Sequence, residues 1–145
     1  MSGALGFDVG TRLIGVAVGN RLTGTARPLD ILHVRDKQPD WPRLDGIVRQ
    51  WSPDMLVVGL PLTLDGGSQP ITRHARRFAE QLRQRYKLPV HMQDERHSSQ
   101  EAARRFARAR AAGTKRRRDA EKIDAVAAAV ILESWLDSLP QGPDS

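Results

Sequence analysis

Asp8 occupies an unusual position, in the middle of a segment that alternates between large apolar and small residues. The apolar set is Leu5, Phe7 and Val9, and the other set is Gly6, Asp8 and Gly10. A period of two indicates a strand, in which aspartate is disfavoured. A backbone hydrogen bond near a strand end is the simpler explanation. Because the glycines leave open space against the sheet, we interpret Asp8 as a ligand of a hard cation or of a metal-bound phosphate.

Asp124 is the second candidate, in a segment with the periodicity of a helix. It shares a stripe with Ala127, Ala128 and Ile131, so it should lie on or beside the face that packs on the sheet. A charge there is costly unless it is paired or binds a metal, although the helix dipole also favours an aspartate near a helix N-terminus. Since alanines permit a close approach, we expect this helix to cover the small-residue face around Asp8.

A third carboxylate comes from Asp94-Glu95, which follows the end of a predicted strand. Ligands in open α/β sheets bind beyond the carboxyl ends of strands, but adjacent acids in a loop are often only solvated. Converging carboxylates repel one another unless a cation lies among them. Mg²⁺ or Mn²⁺ fits such oxygen ligands, and two ions about 4 Å apart can activate a water for phosphodiester hydrolysis. We therefore predict catalytic acids at Asp8, at Asp94 or Glu95, and at Asp124.

Basic residues outnumber acidic ones, with Lys+Arg 23 against Asp+Glu 17 and a formal net charge of +6. Such a surplus attracts polyanions. A stretch without acids carries Arg104, Arg105, Arg108, Arg110, Lys115, Arg116, Arg117 and Arg118. A run of this kind is usually a solvated face, and contact with a nucleic-acid backbone is the second interpretation. Arg12 and Arg96 are further candidates for phosphate contacts. Aromatic residues are few, so a base-stacking platform is not predicted.

Composition excludes several classes of protein. The chain has no cysteine, which excludes a disulfide scaffold and a thiolate zinc site and fits a reducing cytoplasm. The histidines, which lack ligand spacing and are expected at the surface, are His33, His74, His91 and His97. We find no signal peptide and no membrane span, so the prediction is a cytoplasmic protein without a membrane partner.

The elements that must position the acids follow from hydrophobic periodicity. A length of 145 residues suits one domain, here 1–138 with a disordered tail at 139–145. Strands are predicted at 4–10, 14–19, about 26–32, 55–59 and 89–93, and helices from about 42 to 51, 71 to 86, 98 to about 111 and about 119 to 136. The first two strands should form a hairpin through Thr11-Arg12-Leu13. This order indicates an α/β sheet with an antiparallel half and a parallel half.

Four blocks, in order, resemble the YqgF/RuvX family, whose members are described as Holliday junction resolvases and pre-16S ribosomal RNA nucleases. The blocks are GFDVGTRLIGVAVG, VVGLPLTLDGG, the DER of MQDERHSS and KIDAVAAAVILESWL, and they extend from about Leu5 to Leu136. After DER the family often has a Leu and a Thr, where His97 and Ser99 stand here. Ser99 can still cap the next helix, and no function is assigned to His97.

The resemblance implies an RNase H-like fold with a five-stranded mixed sheet in the order 3-2-1-4-5. It also implies a divalent-metal nuclease that matures the 5′ end of small-subunit ribosomal RNA. It carries the metal role to Asp8, to the Asp94-Glu95 pair and to Asp124. In that sheet order the pair ends the outer strand, roughly 9–10 Å from the Asp8 strand. We favour Glu95, which has the longer reach, and leave Asp94 open.

Other functions compete with RNA processing. A Holliday junction resolvase acting on branched DNA would work as a symmetric pair, whereas an RNA nuclease could be a monomer or a homodimer. A non-catalytic RNA-binding ribosome-assembly factor would need only the basic stretch. The pattern around Asp8 also resembles the phosphate loop of actin-like kinases and ATPases. Those folds need two such domains, and a chain of this length offers no second one.

Overall fold

The computed structural model describes residues 3–61, 67, 69–94 and 117–139, with side chains from 122 onward in the last range. The strands are β1 Gly3–Val9, β2 Leu13–Asn20, β3 Thr25–Arg35, β4 Gln38–Pro39, β5 Met55–Leu60 and β6 Val90–Asp94. The helices are α1 Trp41–Trp51, α2 Pro70–Tyr86 and α3 Arg117–Asp137. The helix predicted at 98–111 and residues 140–145 of the predicted tail lie outside the described residues.

The strands form one mixed sheet in the order β4-β3-β2-β1-β5-β6. The pairs β1–β2, β2–β3 and β3–β4 are antiparallel, and β5 is parallel to both β1 and β6. Apart from the two-residue β4, this is the order that the resemblance implies. The carboxyl ends of β1, β5 and β6 therefore meet at one edge of the sheet, where ligands of open α/β sheets bind.

The sixth strand, β4, is an addition to the five predicted. It pairs with the end of β3 through a turn at Asp36 and Lys37, whose φ angles are 51° and 64°. Two positive φ angles are typical of a tight hairpin turn, which usually contains glycine. Because no glycine marks this turn, the sequence pattern does not reveal it. Pro39 is tolerated because β4 lies at the edge of the sheet.

The β1–β2 hairpin forms as predicted and closes tightly beside Asp8. The backbone N–H of Gly10 donates to the carbonyl oxygen of Leu13 at 2.8 Å. A Cβ atom at Gly10 would lie 2.7 Å from that same oxygen, so a larger residue would force the turn open. The hairpin thereby fixes the register in which Asp8 pairs with Gly15.

Large side chains cover one face of the sheet, which packs against α1 and α2. The ring of Phe7 in β1 meets that of Phe78 in α2 edge to face at 5.3 Å. Further buried members of this cluster are Leu5, Ile14, Val16, Leu44, Leu56, Val58 and Leu82. Burial of these side chains supplies the main apolar stabilisation of this side of the molecule.

The other face of the sheet carries small residues and is covered by α3. Its buried cluster contains Ala4, Ala17, Met55, Val57, Ala128, Ala129, Ile131, Leu132 and Leu136. Most of the bulk comes from the helix, because the strands contribute mainly glycine and alanine at these positions. Within the described part of the chain, no helix is both long enough and apolar enough to cross a membrane.

Candidate active site

Asp8 lies on the face of the sheet that α3 covers. Side chains alternate along β1, and Gly6, two residues earlier, is in contact with Leu132 of α3. Asp8 is only 5% exposed. A buried carboxylate is costly unless its charge is compensated, so Asp8 requires a hydrogen-bond or cation partner, and its role as a metal ligand stays a prediction.

Glycines flank Asp8 in both neighbouring strands. In β2 its partner is Gly15. Phe7 of β1 pairs with Val58 of β5, so one residue further along the parallel pair Asp8 lies in line with Gly59. Neither glycine has a side chain that could occupy the space beside the carboxylate. The strands thus carry no bulk beside the carboxylate, and at Gly15 the backbone of α3 occupies the space.

The backbone of Asp124 packs directly on the neighbour of Asp8. A Cβ atom at Gly15 would lie 1.9 Å from the carbonyl oxygen of Asp124 and 2.2 Å from its carbonyl carbon. The first turns of α3 therefore touch the β2 backbone, with no side chain between them. Paired Cα atoms in antiparallel strands are about 4.5–5.5 Å apart, so the backbone of Asp124 lies over the part of the sheet that carries Asp8.

The same close packing continues along α3. Cβ atoms at Gly6 and Gly19 would lie 2.7 Å from Cβ and 2.8 Å from Cδ2 of Leu132, respectively. Further out, the Glu133 carboxylate accepts a hydrogen bond of 3.0 Å from the backbone N–H of Ala26 in β3. The predicted docking of the alanine-rich helix on the glycine-lined face is thus observed from Asp124 to Leu136.

The structure separates Asp94 from Asp8 by strand alternation. In β6, Val90 and Met92 pack in the cluster under α1 and α2, whereas His91 and Gln93 contact α3. Asp94, the exposed last residue of the strand, therefore falls in register with the α1 and α2 face. Asp8 and Asp124 come together, and Asp94 belongs to the other side of the sheet.

Two contacts that sequence reasoning missed fasten β6 to α3. The Gln93 side-chain amide donates to the Ser134 hydroxyl at 3.1 Å, and the His91 ring stacks on Trp135 at 4.8 Å between centroids. Gln93 is paired with Gly59, in the same row as Asp8. The only signal in the sequence was the alternation along β6, which does not identify partners on a distant helix.

Thr72 anchors the segment that follows β5 at the same edge. This side chain is fully buried. Its hydroxyl donates to the carbonyl oxygen of Pro61 and accepts from the backbone N–H of Gln69 at 2.9 Å. Pro61 and Gln69, at the two ends of the Pro- and Gly-rich segment between β5 and α2, are thereby tied to the start of α2, close to the carboxyl end of β5.

Several predicted site residues cannot be placed. Those outside the described residues are Glu95, Arg96, Arg104, Arg105, Arg108, Lys115 and Arg116, and Arg117 and Arg118 lie in α3 without described side chains. Arg12 is exposed in the β1–β2 hairpin, and His33, His74 and His91 are exposed as expected. Among side chains that the structure does describe, no group of three or more His, Cys, Asp or Glu could hold a metal.

The two acids that do come together fit a hard divalent cation. Carboxylate oxygens are the preferred ligands of Mg²⁺ and Mn²⁺. Asp8 is buried between glycines, and Asp124 above it is partly exposed. A cation could therefore enter from solvent past Asp124 and bind the Asp8 carboxylate. Their roles in metal binding and catalysis stay a prediction.

Comparison with known proteins identifies close relatives over most of the chain. A protein named "Putative pre-16S rRNA nuclease" from Xanthomonas axonopodis pv. citri (strain 306) is 61% identical over 132 residues, covering 91% of this chain and 85% of the relative. A protein of the same name from Xylella fastidiosa (strain M23) is also 61% identical, with the same coverage.

Solved structures share the fold at low sequence identity. Thermus thermophilus RuvC aligns with a TM-score of 0.52 at 14% identity, covering 94% of this chain and 97% of that one. The fowlpox virus Holliday junction resolvase aligns with a TM-score of 0.53 at 17% identity, covering 94% and 99%. These alignments confirm the predicted RNase H-like fold. The model of the RuvX family, described as Holliday junction resolvase, matches residues 2–138, and the chain therefore belongs to this family.

Proposed function

We propose that the protein is a divalent-metal-dependent nuclease that hydrolyses phosphodiester bonds and processes the 5′ end of pre-16S rRNA. The observation that carries this proposal is the backbone contact of Asp124 with Gly15, beside the buried Asp8. It places Asp124, which is partly exposed, over the part of the sheet that carries the buried Asp8. Membership of the RuvX family and the names of the close relatives support the reaction class and the RNA substrate.

Asp8 and Asp124 would hold Mg²⁺ or Mn²⁺ together with Glu95. We assign the third carboxylate to Glu95 rather than Asp94 because alternation along β6 places Asp94 in register with the α1 and α2 face. A divalent cation bound there would polarise the phosphodiester and make a water nucleophilic at neutral pH. The three carboxylates would fix the position of the ion, and their negative charges would balance its positive charge.

The remaining elements of the proposal concern the substrate and its setting. We assign phosphate contacts to the exposed Arg12, at the same edge as Asp8, and to Arg96 and the basic stretch 104–118. Residues 1–138 would form the single nuclease domain, acting in the cytoplasm. The net charge of +6 supports binding of a polyanion.

A panel of end-labelled substrates tests the proposal. Pre-16S leader RNA, unrelated single-stranded RNA and a four-way DNA junction are incubated with Mg²⁺ or Mn²⁺. We expect metal-dependent cleavage of the leader RNA, and a loss of more than about 100-fold in Asp8→Asn, because direct ligands matter more than their supporting partners. Asp137→Asn, an exposed acid at the end of α3, is the matched control and should retain the wild-type rate.

The other outcomes identify the competing functions. Cleavage of the junction alone would establish a resolvase, and RNA binding without cleavage of any substrate would establish an assembly factor. Full activity in Asp8→Asn would show that the proposed acidic site is wrong.

A further inference from the structure

A groove of about 570 Å³ lies at the edge of the sheet opposite the acids. It is bounded by the start of β1, the β2–β3 hairpin and the carboxyl end of α1, with Asn20, Thr25, Arg27, Trp51 and Pro53 among its lining residues. We call it the far groove. Its volume falls in the range of small-molecule and nucleotide sites, and none of the predicted active-site residues contributes to it.

Among the residues that the structure describes, Arg27 is the only one with an ionisable side chain that lines the far groove. It is exposed, and no carboxylate lies within ion-pair distance of it in the described part of the chain. The other nearby arginine, Arg21, is instead paired with Asp54 at 2.7 Å. The groove therefore offers an arginine that has no ion-pair partner among the described residues, which favours an anionic occupant.

Trp51 holds Arg27 in position. The guanidinium carbon lies 5.1 Å from the centroid of the Trp51 ring, a cation–π arrangement. Trp51 itself is partly buried and packs against the core under α1, so it is a fixed support. An arginine supported in this way loses less rotamer freedom on binding than a free one, and because Arg27 is exposed its N–H donors remain available.

A planar guanidinium with free donors suits one type of ligand above others. Single-stranded RNA presents unstacked bases, which stack on guanidinium planes as well as on aromatic rings, and phosphates, which accept bidentate hydrogen bonds from arginine. Double-stranded nucleic acid offers no exposed base face.

We propose that the far groove binds a single-stranded segment of the RNA substrate, with a base on the Arg27 guanidinium and a neighbouring phosphate at its N–H donors. The proposal rests on the proposed nuclease function. The groove begins at Gly3 and Ala4 of β1, four to five residues before Asp8, or about 13–17 Å along the strand. Because β1 is buried between the two helix layers, RNA must follow the surface, and about four to five stacked nucleotides are the shortest separation between the groove and the cleaved bond.

The first test measures binding without cleavage, in EDTA. A fluorescein-labelled single-stranded RNA decamer is titrated with wild type, Arg27→Ala, Arg27→Lys and Arg77→Ala. Arg77 is an exposed arginine on α2 with no carboxylate within ion-pair distance among described residues, so it matches the charge change. We expect Arg27→Ala to weaken binding about fivefold or more, Arg27→Lys to remain weakened, and Arg77→Ala to change it less than twofold. Equal effects of Arg27→Ala and Arg77→Ala, or full binding by Arg27→Lys, would overturn the proposal.

A spectroscopic readout locates the RNA. The indole N–H signal of Trp51 should shift on addition of the decamer, while that of Trp41, which lies in α1 away from the groove, should not. Trp51→Phe keeps an aromatic ring under Arg27, and it disturbs the fold less than replacement of Trp51 by alanine would. It should bind the decamer more tightly than Arg27→Ala does, and weaker binding by Trp51→Phe or an unmoved Trp51 signal would count against the site.

Cleavage kinetics then separate this inference from the proposed function. Arg27→Ala should raise KM for a substrate with a ten-nucleotide single-stranded extension, leave kcat unchanged, and have no effect on a substrate with a two-nucleotide extension. Equal KM changes for both substrates would overturn the far groove as an RNA site. If wild type cleaves neither, the nuclease proposal fails while the binding experiment still decides the groove.

Discussion

The two faces of the sheet differ in the size of the side chains that the strands contribute. Under α1 and α2, large side chains such as Phe7, Leu56 and Leu82 fill the space between layers and are fully buried. Under α3, Gly15 and Gly6 remove side chains so that the helix touches the strand backbone or its own Leu132 fills the space. Both faces bury apolar side chains, but on the α3 face the strands contribute little bulk, so the helix approaches the strand backbone and brings Asp124 over the part of the sheet that carries Asp8. Glycine in this sheet is therefore a positioning device for acids rather than a weakness in the strands.

Removing bulk from the α1 and α2 face should have the largest effect on stability. Leu82→Ala leaves a cavity in a fully buried site and is expected to lower the free energy of unfolding by about 2–5 kcal/mol. Since Leu82 lies on the face away from the acids, the cleavage rate of the folded variant should stay near wild type. Urea unfolding and cleavage at a temperature where the variant is folded check both points. A large fall in kcat would contradict the division between the faces.

Adding bulk to the α3 face should be nearly as destabilising and should also abolish activity. The Cβ of Gly15→Ala would overlap the Asp124 carbonyl group, and because these atoms are backbone the helix must move. We expect a loss of about 3 kcal/mol in the free energy of unfolding, at the upper end for overpacking, with a large loss of cleavage. Wild-type stability and activity in this variant would show that α3 does not pack on β2 as described.

The same substitution in α1 is the matched control and has a smaller effect of opposite sign. A Cβ atom at Gly46 would meet nothing within 4 Å. Gly46→Ala should therefore raise the free energy of unfolding by about 0.5–1 kcal/mol, the difference in helix propensity, without changing cleavage. Urea titration measures the increase. Destabilisation would mean that α1 is held against the sheet by a different contact.

The smallest effect is expected from an ion pair that joins α1 to α2. Asp45 accepts hydrogen bonds from Arg85 at 2.8 and 2.7 Å and from the Tyr86 hydroxyl at 2.7 Å. The Arg85 bonds, then that from Tyr86, lower the pKa of Asp45 from 3.8 to about 2. A lowered pKa in the folded state stabilises the protein above the unfolded value, and this contribution is lost as pH falls from about 3.8 to about 2.

Comparison of wild type with Asp45→Asn isolates that contribution. Wild type should be slightly more stable at pH 6, and the difference in thermal midpoint should shrink between pH 4 and pH 2. The effect is small because the pair is largely solvated. Cleavage at pH 7 should be unaffected. A difference that grows on acidification would show that the Asp45 pKa is not lowered.

The glycine-lined face and its helix could be predicted because their signals are local. Alternation along β1 and β2 shows which face of the sheet carries small residues, and the alanines after Asp124 show which face of the helix does. Two such faces can approach each other closely. The close contact at Gly15 follows from those patterns. The side of the sheet on which Asp94 lies could not be predicted, since it depends on the parity of a short strand whose partners are only known once the sheet is assembled.

Features that depend on distant partners were also missed. The far groove depends on contact between Arg27 and Trp51, which are 24 positions apart in the sequence. No local pattern around either residue predicts this contact. Gln93 and Ser134 meet only because β6 lies at the sheet edge beside α3. β4 was missed because its turn at Asp36 and Lys37 adopts positive φ angles without glycine. In each case tertiary structure, rather than local propensity, determines the contact.

Binding of Mn²⁺, followed by the EPR signal of the free ion, tests most directly whether Asp8 and Asp124 form one cation site. The variants are Asp8→Asn and Asp124→Asn, with the exposed Asp137→Asn as the control. We predict that each of the first two weakens Mn²⁺ binding by more than about tenfold and that the control matches wild type. Wild-type Mn²⁺ affinity in Asp124→Asn, alongside a loss in Asp8→Asn, would contradict the shared site.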